Sequence, residues 1–95
     1  MSTKKIQGLV KMYGSSLELE EDTILRALEI SKRAEEKNLL SGTKLEGSAA
    51  ALIYISGIIE DDRRTQKQIA KVASIPESTI RNRYMNIVRE LDIRR

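Results

Sequence analysis

The sequence contains no cysteine, no histidine, no tryptophan and no phenylalanine, and it has a single proline. Each absence removes a class of chemistry. Without cysteine there is no disulfide framework. Without cysteine and histidine the usual thiolate and imidazole ligands for zinc are missing. Thiol nucleophiles and imidazole bases are excluded with them. Carboxylates, lysines, serines and three tyrosines remain, so an enzyme is disfavoured rather than excluded. No residue stands out as catalytic, and neither a metal nor a cofactor is expected. With only three aromatics in 95 residues, the core falls to Ile, Leu, Val and Ala. Such a core suits packed helices better than a β-sandwich.

Long apolar runs are missing too. The longest, Ala49 to Ile59, is interrupted by Tyr54, Ser56 and Gly57. It falls short of the roughly 20 residues that span a bilayer, so no membrane association is expected. Met1-Ser2-Thr3-Lys4-Lys5 leads into a helical pattern instead of an apolar run, which implies no signal peptide and an intracellular protein. The expected location is the cytoplasm, at the nucleoid. A hydrophobic content of 40% with 33% charged residues describes a folded chain. Ninety-five residues suit one small domain, residues 1–95, expected to be a monomer.

Net charge is only +3, but it is unevenly placed. Residues 1–62 carry eight Lys or Arg against eleven Asp or Glu; residues 63–95 carry nine against three. An acidic body thus ends in a third of the chain with charge +6. That distribution suits a surface facing phosphates. A solvated surface rich in ion pairs would carry the same charges.

Apolar periodicity predicts five helices. The first runs from about Lys4 to Tyr13, with Gly14-Ser15-Ser16 ending it. The second begins near Glu20, where Glu20, Glu21 and Asp22 suit the positive end of a helix dipole. Its stripe is Ile24, Leu28 and Ser31, widened by Leu25, Ala27 and Ala34, and Asn38 and Gly42 mark its end. The third, about Leu45 to Ile59, is apolar or small on every side and so must be surrounded. It is expected to be the hub, with Gly57 admitting a close neighbouring helix. Glu60 to Arg64 is a charged connector. Thr65 and Gln68 form a capping box for a fourth helix ending near Ala73. Ser74-Ile75-Pro76 makes the turn, and a fifth helix runs from about Glu77 to Leu91 with Ile80, Tyr84, Ile87 and Leu91 inward.

The last two helices and their turn, about residues 65–91, read as a helix-turn-helix. Ile69, Ala73, Ile75 and Ile80 are its inward anchors, and Ala70 is small where the helices cross. Ser74 sits where glycine would be most comfortable. The major groove of DNA accepts one helix, N-terminal end first, and displays distinct donor and acceptor patterns there. On that reading Ser78, Arg81 and Asn82 contact bases: Arg81 grips a guanine and Asn82 an adenine. Arg63, Arg64, Gln66, Lys67, Lys71, Arg83 and Arg89 are the candidates for phosphates, which position without specifying sequence. For Arg83 a surface ion pair with Glu77 or Glu90 is the competing reading.

Three strings carry a family resemblance: "GTKLEGSAAALIYISGII", "RRTQKQIAKVA" and "STIRNRYMNIVRELDI". Together they resemble the second cyclin-like repeat of archaeal transcription factor B, whose eukaryotic relative is general transcription factor IIB. The all-apolar third helix matches that family's central helix, "TIRNRY" is the most telling string, and the resemblance spans about Lys4 to Ile93. It implies an all-α, five-helix cyclin-like domain with a central apolar helix and a C-terminal helix-turn-helix. It also implies double-stranded promoter DNA as ligand, read at a purine-rich element just upstream of a TATA box, with the TATA-binding protein as partner. The family's base-reading positions fall on Ser78 and Arg81. Arg81 keeps the family's residue, whereas Ser78 replaces a common Val. Met85 stands where a basic residue often touches phosphate, and the family's "GKxPxG" loop reads "GTKLEG", without its proline at Leu45. The family's zinc ribbon, polymerase-reaching linker and first repeat have no counterpart here. RNA polymerase is therefore expected to be engaged only through parts this sequence lacks. The alternative is a cyclin-like protein-interaction module without sequence-specific DNA binding.

Overall fold

The helical periodicities become five α-helices in the computed structural model, which describes residues 3–93. They are α1 (Thr3–Ser16), α2 (Glu21–Glu36), α3 (Leu45–Ile59), α4 (Gln66–Ala73) and α5 (Glu77–Leu91). No strand occurs among the described residues. α3 is the hub: it packs against each of the other four helices. Gly47 to Ile53 and Ile55 to Gly57 are all buried on it. Small residues at Ala49, Ala50 and Ala51 let helix axes approach, while Leu52, Ile53 and Ile55 supply volume. A fully buried Leu or Ile contributes about 1.5–3 kcal/mol.

Three expectations need correction. Gly14 does not stop α1, which continues to Ser16. A Cβ at Gly14 would lie 2.7 Å from Ile24 Cγ1, so this glycine admits α2 against α1. Gly57 likewise makes room, but for backbone and not for a helix. A Cβ there would stand 2.8 Å from the Asp62 carbonyl oxygen and 3.3 Å from Arg63 Cα. The connector folds back over the end of α3, and the Asp62 N–H donates to the Gly57 carbonyl at 2.7 Å. Finally, the inner face of α2 is turned from the expected stripe. Thr23, Ala27, Ile30, Ser31 and Ala34 are buried, Ile24 and Leu28 are half-buried, and Leu25 is 54% exposed. The mostly small side of α2 faces the core, which lets it pack closely against its neighbours.

Polar groups tie the ends of these helices. No side chain of its own caps α2. Asp62 does so from 42 residues away: its carboxylate accepts from the Glu20 N–H and the buried Thr23 hydroxyl, both at 2.8 Å. At the other end of α2, Arg33 donates to the Leu91 carbonyl at 3.2 Å and Lys37 to the Glu90 carbonyl at 3.3 Å. Cations thereby satisfy the free carbonyls that end α5.

Candidate nucleic-acid interface

α4 is eight residues long, too short to stand without help. Its help is local. The Gln68 N–H donates to Thr65 Oγ1 at 3.0 Å, and the Thr65 N–H donates to Gln68 Oε1 at 2.9 Å. This is the capping box expected from the sequence, and it satisfies two donors at once. Ile69, Ala70 and Ala73 then bury against α3 and α5.

The turn is equally specified. Ser74 caps α4 in the left-handed region, at φ 58° and ψ 47°. The Ile75 N–H donates to the Ala70 carbonyl at 3.1 Å and closes the turn. Pro76 is the N-cap of α5, one position before the first helical residue. A left-handed backbone costs a serine roughly 1–2 kcal/mol. Ser74→Gly should therefore raise stability by about 1 kcal/mol, or roughly 5 °C in unfolding midpoint followed by circular dichroism. An unchanged or lower midpoint would show that the serine side chain compensates the strain.

α5 buries Ile80, Ile87 and Leu91. Tyr84 is half-buried and meets Tyr54 of α3 edge to face, with ring centroids 4.9 Å apart. Near its start α5 approaches the first turn of α3 closely: a Cβ on Gly47 would lie 2.9 Å from Thr79 Cγ2. The opposite face of α5 carries Ser78, Arg81, Asn82, Met85 and Arg89, all exposed. Steps of three and four residues place them on one side of the helix. The three expected base-contacting residues thus share one outward face, with Arg81 and Asn82 one turn beyond Ser78.

The expected phosphate contacts divide. Arg63, Lys67 and Lys71 are exposed and Gln66 is half-buried, at or just before α4. Lys67 and Lys71, one helical turn apart, border a shallow trough with Ser74, Ile75, Pro76 and Glu77. Arg89 lies 3.7 Å from Glu90 with 70% of its side chain exposed. Arg64 and Arg83 are engaged elsewhere. Arg64 donates twice to the Leu17 carbonyl, at 3.0 and 3.2 Å, and to Asp62 at 3.1 Å. It is a strut that closes the end of α1, with a quarter of its side chain exposed. Arg83 pairs with neither Glu77 nor Glu90. It crosses to the Leu39 carbonyl at 3.0 Å, and its buried Nε has no hydrogen-bond partner. Burial pushes its guanidinium pKa down. Arg94 and Arg95, part of the basic C-terminal charge, lie outside the described residues.

Two acidic residues outside the expected contact set also matter here. Glu77 opens α5 inside the lysine-lined trough, where it lowers the local positive potential. Asp62, folded into a "charged connector", caps α2 and braces Arg64. The first could be seen from its place in the helix; the second had no local signal.

No group of three Asp or Glu side chains among the described residues converges to hold a metal ion. No helix among them is long and apolar enough to cross a membrane.

Comparison with known proteins places this architecture. The model of the transcription factor TFIIB repeat matches residues 2–90. "Transcription initiation factor IIB" of Sulfurisphaera tokodaii is 44% identical over 84 residues, covering 88% of this chain and 27% of that protein. The protein of the same name from Methanosphaerula palustris is 46% identical over 84 residues, covering 88% and 25%. "Transcription initiation factor IIB 1" of Thermoplasma volcanium is 43% identical over 89 residues, covering 94% and 28%. The chain therefore spans about a quarter of the length of these curated relatives. With five helices around an apolar hub and a family match over nearly all its residues, the chain belongs to the transcription factor TFIIB repeat family, an all-helical cyclin-like fold.

Proposed function

We propose that this domain is a DNA-binding module of an archaeal general transcription initiation factor, in the role of the second cyclin-like repeat. α5 enters the major groove at a purine-rich element upstream of a TATA box, and the domain acts there beside the TATA-binding protein. The observation that carries the reading is the outward face of α5. Ser78, Arg81 and Asn82 stand exposed on one side of a helix whose other side is anchored in the core. Arg81 suits guanine and Asn82 suits adenine, each through two hydrogen bonds. Lys67 and Lys71, which border the turn into α5, take phosphates together with Arg63, Gln66 and Arg89. Arg64 and Arg83 leave the phosphate set, since their guanidinium groups serve internal carbonyls. Lys67 and Lys71 are like charges at i and i+4, which cost a free helix a few tenths of a kcal/mol. An anion between them reverses that cost.

The test is a titration of the 95-residue chain into TATA-containing duplexes with and without the purine-rich element, with and without the TATA-binding protein. Binding should prefer the element, strengthen with the partner protein and fall steeply with salt. Arg81→Ala should lose about tenfold on the element duplex and little on the control. Lys67→Ala should weaken both duplexes alike and reduce the salt slope by about one. Unchanged preference in Arg81→Ala would sink the base assignment. Absence of duplex binding at low salt would leave the protein-interaction module as the better account.

A further inference from the structure

We infer that Met85 reads the 5-methyl group of a thymine in the bound duplex, which makes this domain sensitive to a methyl group as well as to hydrogen-bonding edges. The inference rests on the DNA-binding role proposed above and names a determinant that role does not require. Met85 is 54% exposed, one of three large apolar side chains so exposed among the described residues. The other two, Met12 and Leu25, lie on α1 and α2. Tyr84 and Val88, its neighbours along α5, pack against the core, and Met85 does not. The fold therefore gains little from an apolar group at this position, and a thioether cannot hold the phosphate that a basic residue here would touch.

Its surroundings narrow what such a group can meet. Arg81 and Asn82 precede it by four and three residues and Arg89 follows by four, all exposed on the same face. One apolar tip ringed by polar residues is too small to anchor a protein partner, which needs a contiguous apolar patch. A base edge is the right size. Among the groups displayed in the major groove, the thymine C5-methyl is the apolar one. In a purine-rich strand every adenine faces such a thymine. The rise of about 1.5 Å per residue sets Met85 about 6 Å along the axis from Arg81. That separation corresponds to one or two base-pair steps. A thioether side chain is long, flexible and polarizable, and adapts to a methyl group without exact placement.

The experiment leaves the protein unaltered in its first arm. Thymines opposite the adenines of the purine-rich element are replaced one at a time by deoxyuridine, which keeps every hydrogen-bonding group and removes only the methyl. Binding of the 95-residue chain to each duplex is measured by fluorescence anisotropy. One substitution should weaken binding about fourfold, the effect of burying a single methyl-sized group. In the second arm Met85→Gln, of similar length but polar, should bind the thymine duplex about fourfold less well and be indifferent to deoxyuridine. Met85→Leu should retain the sensitivity. Retention of preference for the element with no response to any deoxyuridine would overturn the Met85 assignment alone. Equal sensitivity in Met85→Gln would do the same. Loss of all preference for the element in the unaltered chain would overturn the DNA-reading role, and this inference with it.

Discussion

Asp62→Ala should lower the unfolding midpoint by roughly 15 °C, on the order of 3 kcal/mol, although the residue lies in a surface connector. The carboxylate accepts from the Glu20 N–H, the Thr23 hydroxyl and the Arg64 guanidinium, at 2.8, 2.8 and 3.1 Å. Hydrogen bonds to a charged group are worth about 1.5–3 kcal/mol each, less where water reaches them. Only 15% of the Asp62 side chain is exposed, and Thr23 is fully buried. Removing the acceptor strands the Thr23 hydroxyl inside the domain and frees the N-terminus of α2. It also unties Arg64 from one side of its strut. Asp62→Asn, which keeps one acceptor oxygen, should lose about half as much. The pH dependence has a definite sign. Hydrogen bonding from Glu20, then from Thr23 and Arg64, holds the Asp62 carboxyl below the usual carboxylate value. Its contribution is fully present above about pH 4, the value in the unfolded chain, and is lost as pH falls through the lower folded value. Between those two values stability should fall with acid in the parent protein and change less in Asp62→Asn. Parallel acid-unfolding curves for the two proteins would refute the linkage.

A second large effect is expected at Gly57. Replacing glycine by alanine inside a helix ordinarily gains about 1 kcal/mol. Gly57→Ala should instead lose about 2 kcal/mol, measured by urea denaturation. The added methyl would stand 2.8 Å from the Asp62 carbonyl oxygen and 3.3 Å from Arg63 Cα. Both are backbone, and the hydrogen bonds of Asp62 and Arg64 hold that segment in place. It cannot yield without breaking them, and overpacking of this kind typically costs 1–3 kcal/mol. Gly8→Ala is the matched control. Gly8 lies exposed within α1 with nothing within 4 Å of an added Cβ, so it should show the ordinary gain. Equal gains at both positions would mean that the connector does not press on α3.

These two residues mark the boundary of what the sequence disclosed. The hub was legible because a helix apolar on all sides has one physical resolution, and Leu45–Ile59 emerged with the expected bounds. The capping box was legible because Thr65 and Gln68 are three residues apart. The common outward placement of Ser78, Arg81 and Asn82 followed from their spacing. The capping role of Asp62 was not legible, since the α2 groups it binds lie 39 and 42 residues away. Gly14 read as a stop because glycine is a poor helix former, while its real partner, Ile24, belongs to another helix. The basic residues show the same limit. Arg64 and Arg83 look like Lys67 and Lys71 in a charge count. What separates them is which main-chain oxygens come within reach after folding, and that is settled by tertiary geometry alone.

The clamps on α5 have a further consequence. A helix held by its apolar stripe alone can fray at its end, and its outer residues then sample many arrangements before any ligand arrives. Here α5 is fastened near its middle by Arg83 to Leu39 and near its end by Arg33 and Lys37 to the carbonyls of Leu91 and Glu90. The conformational entropy of α5 is thus given up when the chain folds. A ligand meeting its outward face owes only the ordering of a few side-chain tips.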